Sequence, residues 1–490
     1  MSVDPNYAQN VAASDVPGGE RIAGLPENIV IRQLYLGCLS QAAYLVGDVT
    51  TGRAIAVDPR RDIDEILSAA SDEKVSIEVV VQTHFHADFL SGHLELSAAT
   101  GAEIGYGVGA VTEFPSRKLV DGEVIDLGGA QVEVLATPGH TPESISLLIR
   151  PAPEADPVAV LTGDALFIGD VGRPDLLVAV DVPADRLAAK LYKSVHRLME
   201  LPDPTLVLPA HGAGSACGKA LSSETVSTIG EQRRTNYAVQ PMSEAEFIAL
   251  VTEGQPIAPA YFGRDAMLNS QNRPLLEEHD PPVELTLVQL DAAVADGAVL
   301  VDTRSPEEFA QGHLSGSLSV SLGGRFAEQV GTIVDMGTPI VLLGSVSAAT
   351  EAKIRLGRIG FDTVVGVLSE PQATIAGHPE RARRLSRLTA TDLEVRRGEL
   401  GAQLQFVDVR NPSEVEGAPV AGARNIPLAQ LREHLAQLSP DRPVVLVCAG
   451  GARSAIASSL LSASGFEDVS DVLGGATALG VGSACTTAKP

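Results

Sequence analysis

The sequence predicts an α/β protein of several domains, on three observations. Short apolar strands alternate with stretches of helical spacing from residue 29 to about residue 230. The chain has 490 residues, which at roughly 150 residues per domain suggests about three domains. The C-terminal half contains a weak internal repeat. Val301-Asp302-Thr303-Arg304-Ser305-Pro306 resembles Val407-Asp408-Val409-Arg410-Asn411-Pro412 at an offset of 106. Pro339-Ile340-Val341-Leu342-Leu343 resembles Pro443-Val444-Val445-Leu446-Val447 at an offset of 104, and Gly360-Phe361 matches Gly465-Phe466 at 105. Three matches in one order at nearly one offset indicate two copies of one α/β domain of ~100 residues.

The elements follow in order. Residues 1–27 are polar, with Pro and paired Gly, and read as a flexible lead-in without the basic start and apolar run of a signal peptide. Residues 29–60 read as two strands joined by a turn at Asp48–Gly52. Ile63, Ile66, Leu67 and Ala70 share one helical face over Asp62–Asp72. Val79–Val81 is a short buried strand. The Pro-, Asn- and Gly-rich stretch 254–282 reads as an extended connection, and the basic stretch Pro379–Arg387 as an exposed linker. The expected domains are 28–270, 283–376 and 386–486.

Composition narrows the function classes. The net charge is −26, so a general nucleic-acid or anionic-membrane surface is not expected. There is no Trp and aromatics are 4%, which leaves little for base stacking. No run of 18 apolar residues occurs, so no membrane span is expected. Cys38, Cys217, Cys448 and Cys485 are far apart and unpaired in pattern, which suits a reducing cytoplasm.

His84, His86 and Asp88 follow the buried strand directly. Further donors sit at similar places: His140 in Thr137-Pro138-Gly139-His140, Asp164 in Thr162-Gly163-Asp164, and His211 in Pro209-Ala210-His211-Gly212. Glycine beside His140, Asp164 and His211 lets the backbone turn sharply. Four such groups point to a metal site. Their order resembles the metallo-β-lactamase superfamily over about residues 28–240, and the resemblance implies an αββα sandwich with the metal at one edge. One position departs from the hydrolase pattern His-x-His-x-Asp-His: the last residue is Phe89. Phe cannot ligate, so a second metal loses a ligand. Two imidazoles and one carboxylate with open positions suit non-haem Fe(II). In the persulfide dioxygenase branch, the resemblance implies His84, His140 and Asp164 as ligands of one Fe(2+). His86, Asp88 and His211 would orient them by hydrogen bonds. The plainer alternative is drift at position 89 in a zinc hydrolase.

Gly172-Arg173-Pro174-Asp175 also resembles this branch. Arg173 either clamps a substrate carboxylate or fixes its own loop through Asp170 or Asp175. Lys219, Arg233 and Arg234 either form a basic substrate pocket or are helix-surface charges. Cys217, shortly after His211, is a candidate redox sensor, whereas Cys38 reads as core and Cys485 as an incidental exposed thiol.

The second repeat copy carries Cys448-Ala449-Gly450-Gly451-Ala452-Arg453 between an apolar strand and a helix. A Cys opening onto a helix N-terminus gains from backbone N–H groups and the dipole, which stabilise thiolate. Gly450 and Gly451 let the loop curl with its amides inward, and Arg453 adds positive charge. This resembles the active loop of rhodaneses, in which a Cys persulfide is the intermediate. Arg410 and Glu414 read as a structural pair. Rhodaneses usually carry Gly-His before the Pro-Gly-Ala segment, and Glu416–Ala423 has no His. The first copy has Gly344 and Ala349 in place of the Cys and Arg, so it reads as a degenerate rhodanese domain.

The resemblances together imply a persulfide dioxygenase fused to rhodanese modules. Its partners would be a small-molecule thiol persulfide, O2, and thiosulfate or sulfite, with neither nucleic acid nor membrane, in a self-associating chain. The alternatives are a zinc thioester hydrolase with a rhodanese appendage, and a non-catalytic sulfur-carrier or docking protein.

Overall fold

The computed structural model describes residues 18–176 and 182–481. Residues 1–17 of the expected lead-in and Cys485 lie outside the described residues. The chain falls into two units, residues 1–278 with 357–360, and residues 279–356 with 361–490.

The first unit holds two sheets. One has seven strands in chain order: β1 (Glu20–Arg21), β2 (Ile29–Leu36), β3 (Gln41–Asp48), β4 (Arg53–Val57), β5 (Ser76–Gln82), β6 (Glu103–Gly107) and β7 (Arg117–Leu119). The other comprises β8 (Val124–Asp126), β9 (Gln131–Ala136), β10 (Ile145–Arg150), β11 (Ala159–Gly163), β12 (Leu206–Pro209) and β13 (Ser227–Thr228), in the order β13-β12-β11-β10-β9-β8. Period-two alternation sorts their side chains. Ala42, Tyr44 and Val46 of β3 join Ile145, Leu147 and Ile149 of β10 in one core shared by both sheets. Ala43 and Leu45 face the other way and meet Ile66, Ala69 and Ala70 of helix Asp64–Glu73 and Leu96 of helix His93–Thr100. Leu148 and Val160 meet Ala188, Leu191, Val195 and Leu198 of helix Ala184–Leu198, a helical stripe, together with Phe247 and Val251 of helix Glu244–Thr252. Helices therefore cover both outer faces of the paired sheets, an αββα sandwich.

Four local expectations change. Residues 29–60 hold three strands, because β2 precedes the anticipated pair. The turn at Gly37–Ser40 carries no Asn-Gly or Pro signal, and Ser40 itself takes the left-handed φ of 52°. Cys38 sits in that turn, half-buried and outside the core. Residues 20–21 are tied to the sheet, with Glu20 opposite Gln33 and Arg21 opposite Arg32, although they fall in the segment read as flexible. The 254–282 connection contains helix Phe262–Leu268, and Asn269 after it is fully buried.

The second unit repeats one design. The first copy has a parallel sheet in the order β16-β14-β17-β18, from β14 (Val299–Asp302), β16 (Leu318–Ser319), β17 (Ile340–Leu343) and β18 (Val364–Leu368). The second has the order β20-β24-β23-β21-β22, from β20 (Ser386–Leu388), β21 (Gln405–Asp408), β22 (Arg424–Asn425), β23 (Val444–Val447) and β24 (Val469–Val472). Asp302 pairs with Leu343, and Asp408 with Val447, so the repeat is reproduced in strand register. The Pro379–Arg387 stretch is not a free linker. Ala382–Arg383 (β19) pairs with His313–Leu314 (β15), Arg381 bonds Asp291 through both terminal nitrogens, and Arg387 reaches buried Asp471 and Glu307. Its positive charge was visible in sequence; the distant carboxylates that neutralise it were not. No helix among the described residues is long and apolar enough to cross a membrane.

Candidate functional site

The loops leaving β4, β5, β9, β11 and β12 meet at one edge of the sandwich. Each carries a donor: Asp58, then His84, His86 and Asp88, then His140, Asp164 and His211. Glycine is needed where these loops touch. Gly163 has φ +51°, and a Cβ there would lie 2.8 Å from the Thr83 side chain. A Cβ at Gly172 would lie 1.9 Å from Asp164 O.

His84, His140 and Asp164 are all buried, and their donor atoms lie within 4.8 Å of one another. His84 Nε2 is 3.9 Å and His140 Nε2 3.5 Å from Asp164 Oδ2. Hydrogen bonds assign the tautomers. His140 Nδ1–H donates to Arg173 O at 2.8 Å. Thr83 Oγ1 donates to Asp58 Oδ2 at 2.8 Å, so it accepts from His84 Nδ1–H at 2.9 Å. Both Nε2 lone pairs therefore face Asp164. Burial, together with His86, His140 and His211, pushes the His84 imidazole well below its ordinary pKa and keeps it neutral, as a ligand must be. Among the described residues, His84 Nε2, both Asp164 oxygens, Asp88 Oδ1 and His211 Nε2 are buried without a hydrogen-bond partner. Buried polar atoms are normally satisfied, so this cluster of orphans fits a metal cation.

A second group, His86, Asp88 and His211, converges beside the first. His211 Nε2 is 3.4 Å from Asp88 Oδ2 and 3.5 Å from Asp164 Oδ1. These three residues do not orient the first set by hydrogen bonds, contrary to expectation. Thr83 and the Arg173 carbonyl do that instead. His86 Nε2 lies 3.0 Å from Asp58 Oδ1. Burial lowers the His86 pKa, but Asp58, Asp88 and Asp164 outweigh it and hold the imidazole above its ordinary value. Phe89 is fully buried with its ring 4.4 Å from that of His86, so an apolar side chain fills the space at the missing ligand position.

Three supporting residues escaped the sequence reading. Asp58 ends β4 at φ +48° and accepts from both Thr83 N and Thr83 Oγ1. An apolar strand ending in Asp was its only signal. Asn269 donates to His86 O and Phe89 O and accepts from Ser91 N, each at 2.8 Å. It clamps the His84–Asp88 loop from about 180 residues away, and no local pattern marks it. The third, Gly475, belongs to the sulfur-transfer loop described below.

The expected basic pocket is not assembled. Arg173 is buried, and its guanidinium is occupied by Asp175 at 2.8 Å through two nitrogens, by Ala216 O at 3.0 Å and by Pro256 O at 2.8 Å. It fixes its loop and leaves no fork for a substrate carboxylate. Lys219 Nζ donates to Leu250 O and Glu253 O. Arg233 pairs with Asp203 and Arg234 with Glu231, both on the exposed face of helix Ile229–Thr235. Cys217 is buried, and its Sγ lies within 4.8 Å of donor atoms of Asp164 and His211. Burial, then Asp88 and Asp164, push its thiol well above the ordinary pKa.

In the second unit, Cys448 is buried at the end of β23 and its Sγ accepts from Gly451 N at 3.1 Å. Gly451 has φ +100° and caps helix Ala452–Ala463, which turns its own amide toward the sulfur. Arg453 pairs with Glu414 through two 2.7 Å bonds. Glu414 is thus the partner of Arg453. Arg410 instead turns back on Asp408 at 2.6 Å, because both lie at the strand end two residues apart. Gly475 lets Ala476 N reach Cys448 O at 2.7 Å; a Cβ on Gly475 would lie 2.2 Å from that oxygen. At the matching place in the first copy, Gly344 follows β17 and has no side chain to carry sulfur.

Residues 36–211 match the metallo-beta-lactamase superfamily, and residues 286–370 and 389–479 each match the rhodanese-like domain. A solved metallo-beta-lactamase from Staphylococcus aureus subsp. aureus COL is 31% identical, with a TM-score of 0.63, covering 71% of this chain and 100% of that one. The structure of ETHE1 from Myxococcus xanthus is 30% identical over 49% of this chain and 97% of that one, with a TM-score of 0.43. Hydroxyacylglutathione hydrolase of Rhodospirillum rubrum is 29% identical over 234 residues, 46% of this chain and 80% of the relative. The fold and donor set define a mixed α/β protein with a metal-binding type of sandwich. The chain belongs to the metallo-beta-lactamase superfamily and carries two rhodanese-like domains. Members of that superfamily are mostly enzymes, and rhodanese-like domains imply small sulfur-containing substrates.

Proposed function

We propose that this chain is a persulfide dioxygenase with a sulfurtransferase module, built as domains 28–270, 283–376 and 386–486. One observation carries the reading. A buried set of two imidazoles and one carboxylate, His84, His140 and Asp164, stands beside Phe89 in a chain that also holds an intact Cys448 loop. Such a donor set suits a single ferrous ion, which when bound supplies O2 activation and a thiophilic centre. Thr83 and the Arg173 carbonyl hold the two imidazoles with their Nε2 lone pairs inward. Phe89, fully buried against the His86 ring, keeps water from that side of the donor cluster. The net reaction takes one O2 and one water and converts a thiol persulfide to the thiol and sulfite. In the third domain the Cys448 thiolate accepts sulfane sulfur from thiosulfate, releasing sulfite, or passes it back; Gly451 N and the helix N-terminus stabilise the anionic sulfur. The first rhodanese-like domain takes no part in transfer, since Gly344 replaces the nucleophile. The free state of Cys38, Cys217 and Cys448 supports a reducing compartment.

Oxygen uptake with glutathione persulfide, alongside metal analysis of protein purified without added metal, tests the reading. About one iron per chain and persulfide-dependent O2 consumption are expected. A second reading is favoured by the His86–Asp88–His211 group, which offers a further donor set. Two zinc ions per chain with thioester hydrolysis and no O2 uptake would establish that hydrolase instead.

A further inference from the structure

Residues 357–360 belong to the first unit, although the chain on either side of them belongs to the second. They begin where helix Val346–Gly357 ends. Gly357 O accepts from Arg61 Nη1 at 3.0 Å, and a Cβ on Gly357 would lie 2.6 Å from Leu276 Cδ1. Arg358 bonds to three loops of the donor edge. Its carbonyl accepts from Leu90 N at 2.7 Å, two residues past Asp88 in the loop after β5. Asn269 already holds His86 O and Phe89 O, so two residues remote in sequence tie this loop at neighbouring backbone groups. The guanidinium donates through two nitrogens to Asp62, at 3.1 and 2.6 Å, in the segment after β4 that begins with Asp58. Its Nη1 lies 3.9 Å from Cys38 Sγ in the turn after β2. That turn positions His211: Ser40 O accepts from His211 Nδ1 and from Gly212 N, both at 3.1 Å. The Arg358 and Asp62 side chains are only 13% and 9% exposed. A bidentate pair in such surroundings fixes geometry as well as charge.

The repeat isolates this residue. At the offset of 105 that aligns Gly360-Phe361 with Gly465-Phe466, the second copy has Ala463, which is exposed. Helix Ala452–Ala463 closes there without a cation. The rhodanese-like fold therefore does not require the guanidinium, and its partners are the loops of the first unit.

We propose that Arg358 is a positioning residue of the metal site. Its carbonyl and guanidinium hold the loops after β2, β4 and β5 in mutual register, and through them the donors that those loops carry or support. The chain of the first rhodanese-like copy, which has Gly344 where the nucleophile would stand, thus supplies a residue that the metal-binding sandwich uses. Loss of the guanidinium does not strand Asp62, because Arg60 Nε lies 3.8 Å from it. The loss falls on the link to Cys38 and on the placement of the Arg358 carbonyl against Leu90. The inference rests on the reading of His84, His140 and Asp164 as metal ligands.

The test uses the full chain with Arg358→Ala and Arg358→Lys, and with Arg234→Ala as a surface control. In metal-stripped protein, amide exchange followed by mass spectrometry should rise roughly tenfold or more at residues 84–92 and 37–42 in Arg358→Ala, with helix Ala184–Leu198 unchanged. Co2+ affinity, by chelator competition, should weaken about tenfold, and the visible bands of bound Co2+ should shift with the altered ligand geometry. Arg358→Lys keeps a charge facing Asp62 without the planar fork, so it should recover part of the affinity and of the parent spectrum. Arg234→Ala should match the parent throughout. Parent-like exchange in both segments of Arg358→Ala overturns the proposal. So does an acceleration shared equally by helix Ala184–Leu198, which marks a general loss of stability, and so does a Co2+ affinity and spectrum equal to the parent's. If Arg358→Ala fails to fold, Arg358→Lys is read by the same criteria. Undiminished Co2+ binding in His84→Ala would instead overturn the metal reading, while the exchange result on stripped protein stands independently of it.

Discussion

Arg453 and Glu414 lie 39 residues apart and meet in a two-point ion pair, both bonds at 2.7 Å. The pair holds a guanidinium in the first turn of the helix that opens from the Cys448 loop. Glu414 sits in the first turn of helix Pro412–Gly417, so each partner is anchored to a rigid element.

Glu414→Gln should therefore release Arg453 without touching the nucleophile. Thiosulfate-dependent transfer is expected to fall about tenfold or more, since misplacement of a positioned group costs rate steeply. Stability should drop by only about 1 kcal/mol, because the pair is a third exposed. Burial raises the Glu414 pKa, but the Arg453 hydrogen bonds and charge outweigh it, so the folded value lies below the ordinary one. Its stabilising contribution is then complete above about pH 4.3 and is lost as pH falls through the folded pKa. Acid titration of parent and variant by circular dichroism should show the difference between them vanishing below that range.

Cys448→Ser replaces a thiolate by a hydroxyl that stays protonated and cannot hold sulfane sulfur. Thiosulfate-linked transfer should disappear, with no residual activity from the first copy. Oxidation of a directly supplied persulfide should persist. If the module normally consumes sulfite, the variant should release sulfite where the parent releases thiosulfate. Product analysis of both proteins under air checks this, and unchanged transfer would remove Cys448 as the carrier.

His84→Ala, His140→Ala and Asp164→Ala should each lose metal retention and O2 uptake. The effect should exceed the ~10–100-fold that loss of an outer hydrogen-bond partner costs. Stripping the parent with a chelator should lower its melting temperature, since metal at ~100 times its dissociation constant contributes about 2.7 kcal/mol. Full iron content and activity in any one of the variants would exclude that residue as a ligand.

Asn269→Ala removes three bonds that no other side chain supplies to His86 O, Phe89 O and Ser91 N. Leaving these buried backbone groups unmet should cost about 3 kcal/mol in all. Metal affinity should weaken about tenfold through the loosened His84–Asp88 loop. Denaturant unfolding and metal competition measure the two effects separately. Asn269→Asp keeps the acceptor for Ser91 N but turns a buried carboxylate oxygen onto the His86 and Phe89 carbonyls, so it should be at least as destabilising as alanine.

The sequence by itself determined the α/β class, the repeat and the identity of the chemical donors. Each of these is local: a strand of alternating or continuous apolar residues, a Gly that frees the next turn, a donor at the strand end. His84, His86, Asp88, His140, Asp164 and His211 were legible as one set of candidate donors at strand ends, whereas the choice of His84, His140 and Asp164 among them was only what the family resemblance implies. Cys448 and Arg453, six residues in one loop, were likewise legible together. Tertiary structure alone decided which charges face which. Arg453 takes Glu414 rather than leaving it to Arg410, Arg173 is consumed by Asp175 and two carbonyls, and Arg233 and Arg234 point away from the site. Asn269 reaches the metal loop, and Cys217 reaches Asp164, only because the chain returns there after tens to nearly two hundred residues. The reason is physical. Secondary structure and loop chemistry depend on neighbours in sequence, whereas a buried polar group must be satisfied by whatever packing brings within about 3 Å.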